Sequence, residues 1–390
     1  MNDDPIVIIG GGFGGVYTAQ ELLKRGYSVL LISETNYFTF TPLLHEVATG
    51  SLLAHDIIFE YESFFQSNHL RYIRGRASRI DRARKTVWVN GEEFGYSYLV
   101  VATGSTTNFF NVQGVEHAYA LKDVEDAILL KKAIITHAQG INHHVAVTVV
   151  GGGPTGVELI FDVARMLEEL KGKDSSVDYT LQIIQASDVF CRIESDGVQA
   201  YIRKAMDHMQ ITPVCGAYAE VIHPDRIETT VGDYRSDVTV MASGVRPNTD
   251  VFAEDLSLDE RGHVPVNAGL QTIEDEHLFA LGDIIAVDGK PIPKLAQTAT
   301  RQALVVAENI HRHQTGEKLE AYNLEVLGTM FSLGYGDGVG IIYGYTIKGV
   351  LAWYLWRTVY LFKTPGAANK LRVAFSWTMD LFQGRNLTEL

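Results

Sequence analysis

Twice in this chain an apolar strand runs into a G-x-G-x-x-G loop and then a helix, and this repeat restricts the fold more than any other feature. The first copy runs from Pro5 to Ile9, through Gly10-Gly11-Gly12-Phe13-Gly14-Gly15, into a helical stretch containing Val16, Ala19, Leu22 and Leu23, with a glycine stop at Gly26. In this spacing Gly10 permits the tight turn, Gly12 lets the backbone approach a pyrophosphate, and Gly15 lets the helix pack on the strand. The helix N-terminus, at Phe13 and Gly14, then attracts the phosphates. After the next strand, Ser28 to Ile32, come Ser33 and Glu34, and Glu34 is the acid expected to bind a ribose hydroxyl. The second copy is the strand His144 to Val150, the loop Gly151-Gly152-Gly153-Pro154-Thr155-Gly156, and a helix through Val157, Leu159, Ile160, Val163 and Met166. One isolated match arises by chance. Two matches, each in strand–loop–helix context, predict an α/β chain with two Rossmann-like dinucleotide-binding domains and two bound dinucleotides.

At 390 residues the chain has room for two to three domains. Its net charge of −14 opposes a broad nucleic-acid surface. The start, MNDDPIVIIG, lacks the basic and apolar regions of a secretory signal, and Cys191 and Cys215 are too few for a disulfide scaffold, so a reducing compartment is expected. No apolar run reaches the length of a spanning helix. His143-His144 and His311-Arg312-His313 lack the partners and spacing of a metal site, and none is expected.

Three further segments sit at telling positions. Tyr98 to Val101 reads as a strand ending at Ala102-Thr103-Gly104, and Leu278 to Leu281 as another ending at Gly282-Asp283. Between them lies Val240-Met241-Ala242-Ser243-Gly244-Val245-Arg246-Pro247. Over about residues 5 to 310 this order resembles the two-dinucleotide flavoproteins that include glutathione reductase. The resemblance implies FAD in the first fold and NAD(P)H in the inserted second. It places Asp283 at the FAD ribityl or pyrophosphate region, with Ala77 and Ala102 to Gly104 beside the cofactor and Ser243-Gly244 on the nicotinamide side.

The disulfide reductases of that group carry a redox cysteine pair after the first βαβ unit, and here the region reads Tyr37-Phe38-Thr39-Phe40-Thr41-Pro42-Leu43-Leu44-His45-Glu46. With no cysteine there, electrons must leave for an external acceptor; both cysteines are expected to be packing residues. The segment Pro42 to Gly50 is similar to the flavin-side loop of type II NADH dehydrogenases, the single-subunit NADH:quinone oxidoreductases that do not pump protons. In that family Thr155-Gly156-Val157-Glu158 implies a glutamate close to flavin and nicotinamide. Lys294-Leu295-Ala296-Gln297-Thr298-Ala299-Thr300-Arg301-Gln302 resembles its quinone-site helix, with Arg301 in place of the second glutamine and Gln302 about 100° further round. Arg301 then donates to a quinone carbonyl, narrows the site towards another quinone, or faces solvent. The N-terminus of this helix, with Lys294, favours an anionic reduced flavin. Glu158 orients the nicotinamide, relays a proton with a pKa raised by burial, or merely hydrogen-bonds near the helix start.

The tail differs from the rest. From Ile341 to Leu390 its net charge is +4 against −18 for the remainder, and it holds ten aromatics including Trp353, Trp356 and Trp377. Two short helices separated by Pro365-Gly366 mix Trp, Tyr and Leu with Lys and Arg, the composition of amphipathic helices in a lipid interface with aromatics at headgroup depth. The same region anchors type II NADH dehydrogenases to the membrane; covering a homodimer partner is the other use open to it. The second strand of the nicotinamide fold ends in Gln185 where an NADH-specific site has an acid, so NADH is expected with NADPH tolerated.

The expected organisation is an FAD domain at 1–112 and 250–328, a nicotinamide domain at 113–249, and an amphipathic helical membrane anchor at 329–390. The expected activity is transfer of electrons from NADH through FAD to ubiquinone or menaquinone at the cytoplasmic face of the cell membrane. The rivals are a soluble reductase of a redox protein or oxygen, and a non-catalytic flavin-binding sensor.

Overall fold

The computed structural model describes residues 4–140, 143–323 and 328–387. The chain divides into two compact units: one joins Met1–Thr39, Ile58–Thr106 and Val245–Glu325, the other Phe40–Ile57, Thr107–Gly244 and Val326–Leu390.

The first unit is built on five parallel strands in the order Leu278–Ala280, Tyr98–Val101, Ile6–Ile9, Val29–Ser33, Leu70–Arg74. The central strand Ile6–Ile9 is buried throughout, flanked in register by Val29–Ile32 and Tyr98–Val101. A strand covered on both faces has no polar side to alternate, so it reads in the sequence as an unbroken apolar run. The helix Phe13–Lys24 follows the glycine loop and packs against the helix Ala296–Thr315. An antiparallel meander, Ala77–Asp81, Thr86–Val89 and Glu92–Gly95, precedes the strand Tyr98–Val101.

The second unit repeats this plan. Its five parallel strands run Ala118–Tyr119, Val238–Met241, His144–Val150, Asp178–Gln185, Ile211–Cys215, again with the glycine-loop strand in the middle. A meander of Ala219–Ile222, Arg226–Thr229 and Gly232–Arg235 precedes Val238–Met241. The two Rossmann-like folds expected from the glycine loops are therefore both present. The second unit also takes in the loop Phe40–Ile57 and the whole tail.

The tail opens with three antiparallel strands, Gly328–Ser332, Gly338–Ile342 and Tyr345–Lys348. The helices Gly349–Lys363 and Ala367–Gln383 follow, broken at Pro365-Gly366 as expected. Among the described residues no helix is long and apolar enough to cross a membrane. One expectation needs correcting: Trp353, Trp356 and Trp377 are 4%, 0% and 4% exposed and face inward, away from any headgroup layer. A buried indole N–H needs a partner, and here Trp356 donates to Glu158 and Trp377 to Glu46. The Arg357 guanidinium lies between the rings, 4.1 Å from the Trp353 centroid and 4.8 Å from that of Trp377. The outward face is made instead of Leu351, Tyr354, Phe362, Leu371, Phe375 and Phe382, each at least 58% exposed.

Candidate functional site

In the first unit the glycine loop is shaped by backbone contacts. Gly10 has φ +112°, and a Cβ there would lie 2.2 Å from the Ala102 carbonyl oxygen. A Cβ on Gly15 would lie 1.8 Å from the Gly10 carbonyl, so the helix that starts at Phe13, with Gly14 buried in its first turn, sits directly on the strand. Gly12 is different: its backbone is extended, and nothing lies within 4 Å of a Cβ placed there. The Tyr61 hydroxyl, which the sequence did not single out, donates to Gly11 O and Ser33 Oγ and ties the loop to the next strand end. Glu34 follows that strand, exposed and 3.7 Å from Arg76.

The same unit gathers the other segments. Ala77 is buried at the start of the meander. Thr103 Oγ1 donates to Asn248 O, and Gly104 leaves open space where a Cβ would be. Asp283 accepts from Ser105 Oγ at 2.5 Å. Lys294 Nζ donates to Val245 O, and Leu295 is the N-cap of the helix that begins Ala296-Gln297. Arg301 is half-buried, with its charge acting on the Tyr322 phenol. Gln302, one place later, is fully buried, and its Oε1 accepts from Gly282 N at 2.7 Å. The 100° rotation thus gives the two residues separate tasks, with Gln302 holding the Gly282-Asp283 turn.

The second unit repeats the loop geometry. Cβ atoms on Gly151 and Gly156 would lie 2.4 Å from Ala242 O and 1.9 Å from Gly151 O, while one on Gly153 would meet nothing within 4 Å. Pro154 and Thr155 open the following helix, Pro154–Lys173. Gln185 accepts from Gly152 N through Oε1 and donates through Nε2 to Ser187 Oγ and Val189 O. Ser243 Oγ donates to Asn108 O, beside Gly244 at φ +130°. Cys191 is buried, in keeping with a packing role. Thr41-Pro42-Leu43 forms a single 3-10 turn with Leu43 fully buried, and it leads into the short helix Leu44–Ala48.

That short helix builds the most unusual chemistry in the protein. Glu158 is 7% exposed, and its Oε1 accepts from Trp356 Nε1 at 2.8 Å and from Ser332 N at 3.2 Å. His45 is 3% exposed; its Nε2 lies 3.9 Å from Glu158 Oε2 and its Nδ1 2.7 Å from Asp162 Oδ2. Asp162, one helical turn beyond Glu158, accepts from buried Arg385 at 2.9 Å. Burial pushes the Glu158 carboxyl up to about 7, although His45, the Ser332 amide and Trp356 pull it down. Burial also disfavours the His45 cation, yet the Asp162 hydrogen bond and the charges of Glu158, Asp162 and Glu46 outweigh it and hold His45 at about 9. For Asp162, burial is overridden by Arg385 and His45, which bring it to about 2. Glu46 is raised by burial against the pull of Arg357.

These shifts have a direction in pH. The ordinary values are 4.5 for Glu158 and 6.5 for His45, so from about pH 5 to 9 the folded protein holds more protons than the unfolded chain, and stability falls as pH rises. Asp162 acts oppositely: its contribution is present above 3.8 and is lost as pH falls through about 2. Thermal unfolding followed by circular dichroism is expected to show a midpoint that drops between pH 6 and 9; a flat profile would contradict the assignment.

Of this group the sequence marked only Glu158 as a site residue. His45, Asp162 and Arg385 carried one weak signal, a second acid one turn after Glu158 on the same helix face. The family model for pyridine nucleotide-disulphide oxidoreductases matches residues 4–303. Proteins named type II NADH:quinone oxidoreductase from Staphylococcus aureus and Staphylococcus epidermidis are 25% and 26% identical, each over 91% of this chain and 93% of theirs. Among solved structures, the NDH2 of Plasmodium falciparum in complex with NADH has a TM-score of 0.91 at 19% identity, with 100% of both chains covered. The sulfide:quinone oxidoreductase of Aquifex aeolicus has a TM-score of 0.79 at 20% identity, covering 98% of this chain and 96% of its own.

Proposed function

The chain belongs to the pyridine nucleotide-disulphide oxidoreductase family, and from that premise we propose that it is a type II NADH:quinone oxidoreductase bound peripherally to a membrane. The observation that carries the choice of acceptor is Glu158, a buried carboxyl held near neutrality in a chain with no cysteine pair after its first glycine loop. A quinone, unlike a one-electron protein acceptor, needs protons together with electrons, and the missing cysteine pair argues against a disulfide route. The names of the relatives support the same choice.

The residues present fit FAD in the first fold. Extended backbone at Gly12 would suit any residue, so the open space above it is available to a pyrophosphate approaching the N–H groups at the start of the helix Phe13–Lys24. Glu34 would bind ribose hydroxyls, Asp283 the ribityl or pyrophosphate region, and the helix N-terminus at Ala296-Gln297 would favour negative charge on a flavin. Gly151, Gly153 and Gly156 would cradle NADH in the second fold. When bound, FAD supplies a two-electron carrier between NADH and the quinone. Glu158 holds a proton at Oε2, the oxygen not engaged by Ser332 and Trp356, and releases it to the acceptor. No part of this cycle moves a proton across a membrane.

Gln185 brings no negative charge to the position where an acid would repel a 2′-phosphate. Steady-state kinetics are expected to give an NADH/NADPH ratio of kcat/KM below about 10³, roughly 4 kcal/mol. A larger ratio would sink this expectation.

Membrane attachment is assigned to the outward apolar face of the tail helices, flanked by exposed Lys363 and Arg372. Anaerobic stopped-flow tests the whole reading: NADH should bleach the flavin, and a short-chain quinone should restore it quickly. Reduction without reoxidation by quinone would point instead to a soluble reductase. Replacing Phe362, Phe375 and Phe382 by glutamate should abolish co-sedimentation with anionic vesicles without lowering the melting temperature. Retained binding would leave this face to a second copy of the chain, read out by sedimentation velocity.

A further inference from the structure

Building on the quinone-reducing function proposed above, we propose that His45 is the proton-supplying partner of Glu158, refilling its Oε2 from Nε2–H after that carboxyl has protonated the acceptor, with Asp162 and Arg385 as positioning residues. Glu158 Oε1 already accepts from Ser332 N and Trp356 Nε1, so Oε2 is the oxygen free to change its proton. His45 Nε2 lies 3.9 Å from it, buried and without a hydrogen-bond partner. The imidazole cannot turn away, because Nδ1 is held by Asp162 at 2.7 Å.

The geometry separates transfer from simple charge pairing. The structural pair in this cluster, Arg385 with Asp162, is closed at 2.9 Å. The His45–Glu158 pair, at 3.9 Å, is open beyond hydrogen-bond reach, the looseness expected of a transfer pair before its substrate is in place. Arg385 also removes a competitor: with its guanidinium on Asp162, that carboxylate stays ionised and does not take the His45 proton. Of the other charged groups facing the histidine, Glu46 lies on its own helix, held by Trp377 and by the charge of Arg357. Cys191 and Tyr360 are titratable groups acted on by the charge of Glu158, and the helix Val124–Ala138, which carries the buried Lys131, packs on the same short helix.

In the step an Nε2–H bond breaks and an Oε2–H bond forms. The imidazolium becomes neutral imidazole, keeping Nδ1–H on Asp162, and the carboxylate becomes a carboxylic acid; no electron moves. Quinone reduction takes two electrons and two protons. Hydride from NADH accounts for both electrons and one proton, and the second proton comes from water through His45 and Glu158.

The test uses the flavin-loaded full chain, reduced anaerobically with NADH and mixed with a short-chain quinone from pH 6 to 10. The wild-type reoxidation rate is expected to fall first near pH 7, where Glu158 loses its proton, and then along an alkaline limb near pH 9, where His45 does. His45→Gln should slow reoxidation by about tenfold to a hundredfold, more than it slows reduction by NADH, and should lose that limb. Asp162→Asn keeps the imidazole but removes its anion, so the limb should move to lower pH. A His45→Gln protein with wild-type reoxidation and the limb intact overturns the proposal. If His45→Gln does not retain flavin, an unshifted limb in Asp162→Asn overturns it equally. Wild-type protein that NADH reduces and quinone does not reoxidise would defeat the underlying quinone reading instead.

Discussion

Replacing Arg385 with leucine is expected to destabilise the protein by about 3–5 kcal/mol, because it strands an ionised carboxylate in the interior. The side chain is 3% exposed, and its guanidinium donates to Asp162 Oδ1 at 2.9 Å, to Asp162 O at 2.8 Å and to Thr49 O at 3.4 Å. Its backbone N–H donates to Glu169 as well. Leucine keeps that backbone donor and fills part of the volume, but it satisfies none of the acceptors of the guanidinium. Asp162→Asn should also destabilise, since it leaves Arg385 and His45 without their anion. When both are changed, neither buried charge is left facing the other's absence. The double variant should therefore lose less than the sum of the singles, by at least about 1 kcal/mol. Denaturant unfolding of the four proteins measures this directly. Additive losses would mean that Arg385 acts only as packing, and that the tail is not tied electrostatically to the buried acids.

The two glycine loops were legible because their chemistry is local: strand, turn and helix lie within a dozen residues, and the close backbone approaches of Gly15 and Gly156 are to Gly10 and Gly151 of the same loops. The buried ionic cluster was not. His45 meets Asp162 across 117 positions, Trp356 meets Glu158 across 198, and Arg385 meets Asp162 across 223. No periodicity connects such pairs. For the tail, the amphipathic pattern was visible, but composition does not say which aromatic faces inward. Trp377 and Phe375 are two places apart on one helix, the first buried and the second 65% exposed. Two places on a helix are about 200° apart, so the two rings take opposite faces, and the inward indole N–H finds an acid in Glu46. Gln302 shows the same limit on a smaller scale, since its bond to Gly282 depends on how the helix Ala296–Thr315 is rotated.

Alanine at Gly12 and alanine at Gly15 should fail in opposite ways, although the residues are three places apart in one loop. At Gly15 the new methyl would lie 1.8 Å from the Gly10 carbonyl, and a Cβ has no rotamer through which to escape. The helix must lift from the strand Ile6–Ile9, so this variant is expected to lose more than about 4 kcal/mol and to accumulate unfolded. At Gly12 the backbone is extended and the methyl meets nothing within 4 Å. Without cofactor this variant should melt within about 0.5 kcal/mol of the parent, yet retain flavin at least about tenfold more weakly. The second loop supplies the control. Gly156→Ala, with its methyl 1.9 Å from Gly151 O, should unfold, whereas Gly153→Ala should keep both fold and flavin and raise only the KM for NADH. Flavin content, apoprotein melting and NADH kinetics on the four variants separate the two dinucleotides. Normal flavin retention in Gly12→Ala would mean that the open space above the first loop is not where the pyrophosphate lies.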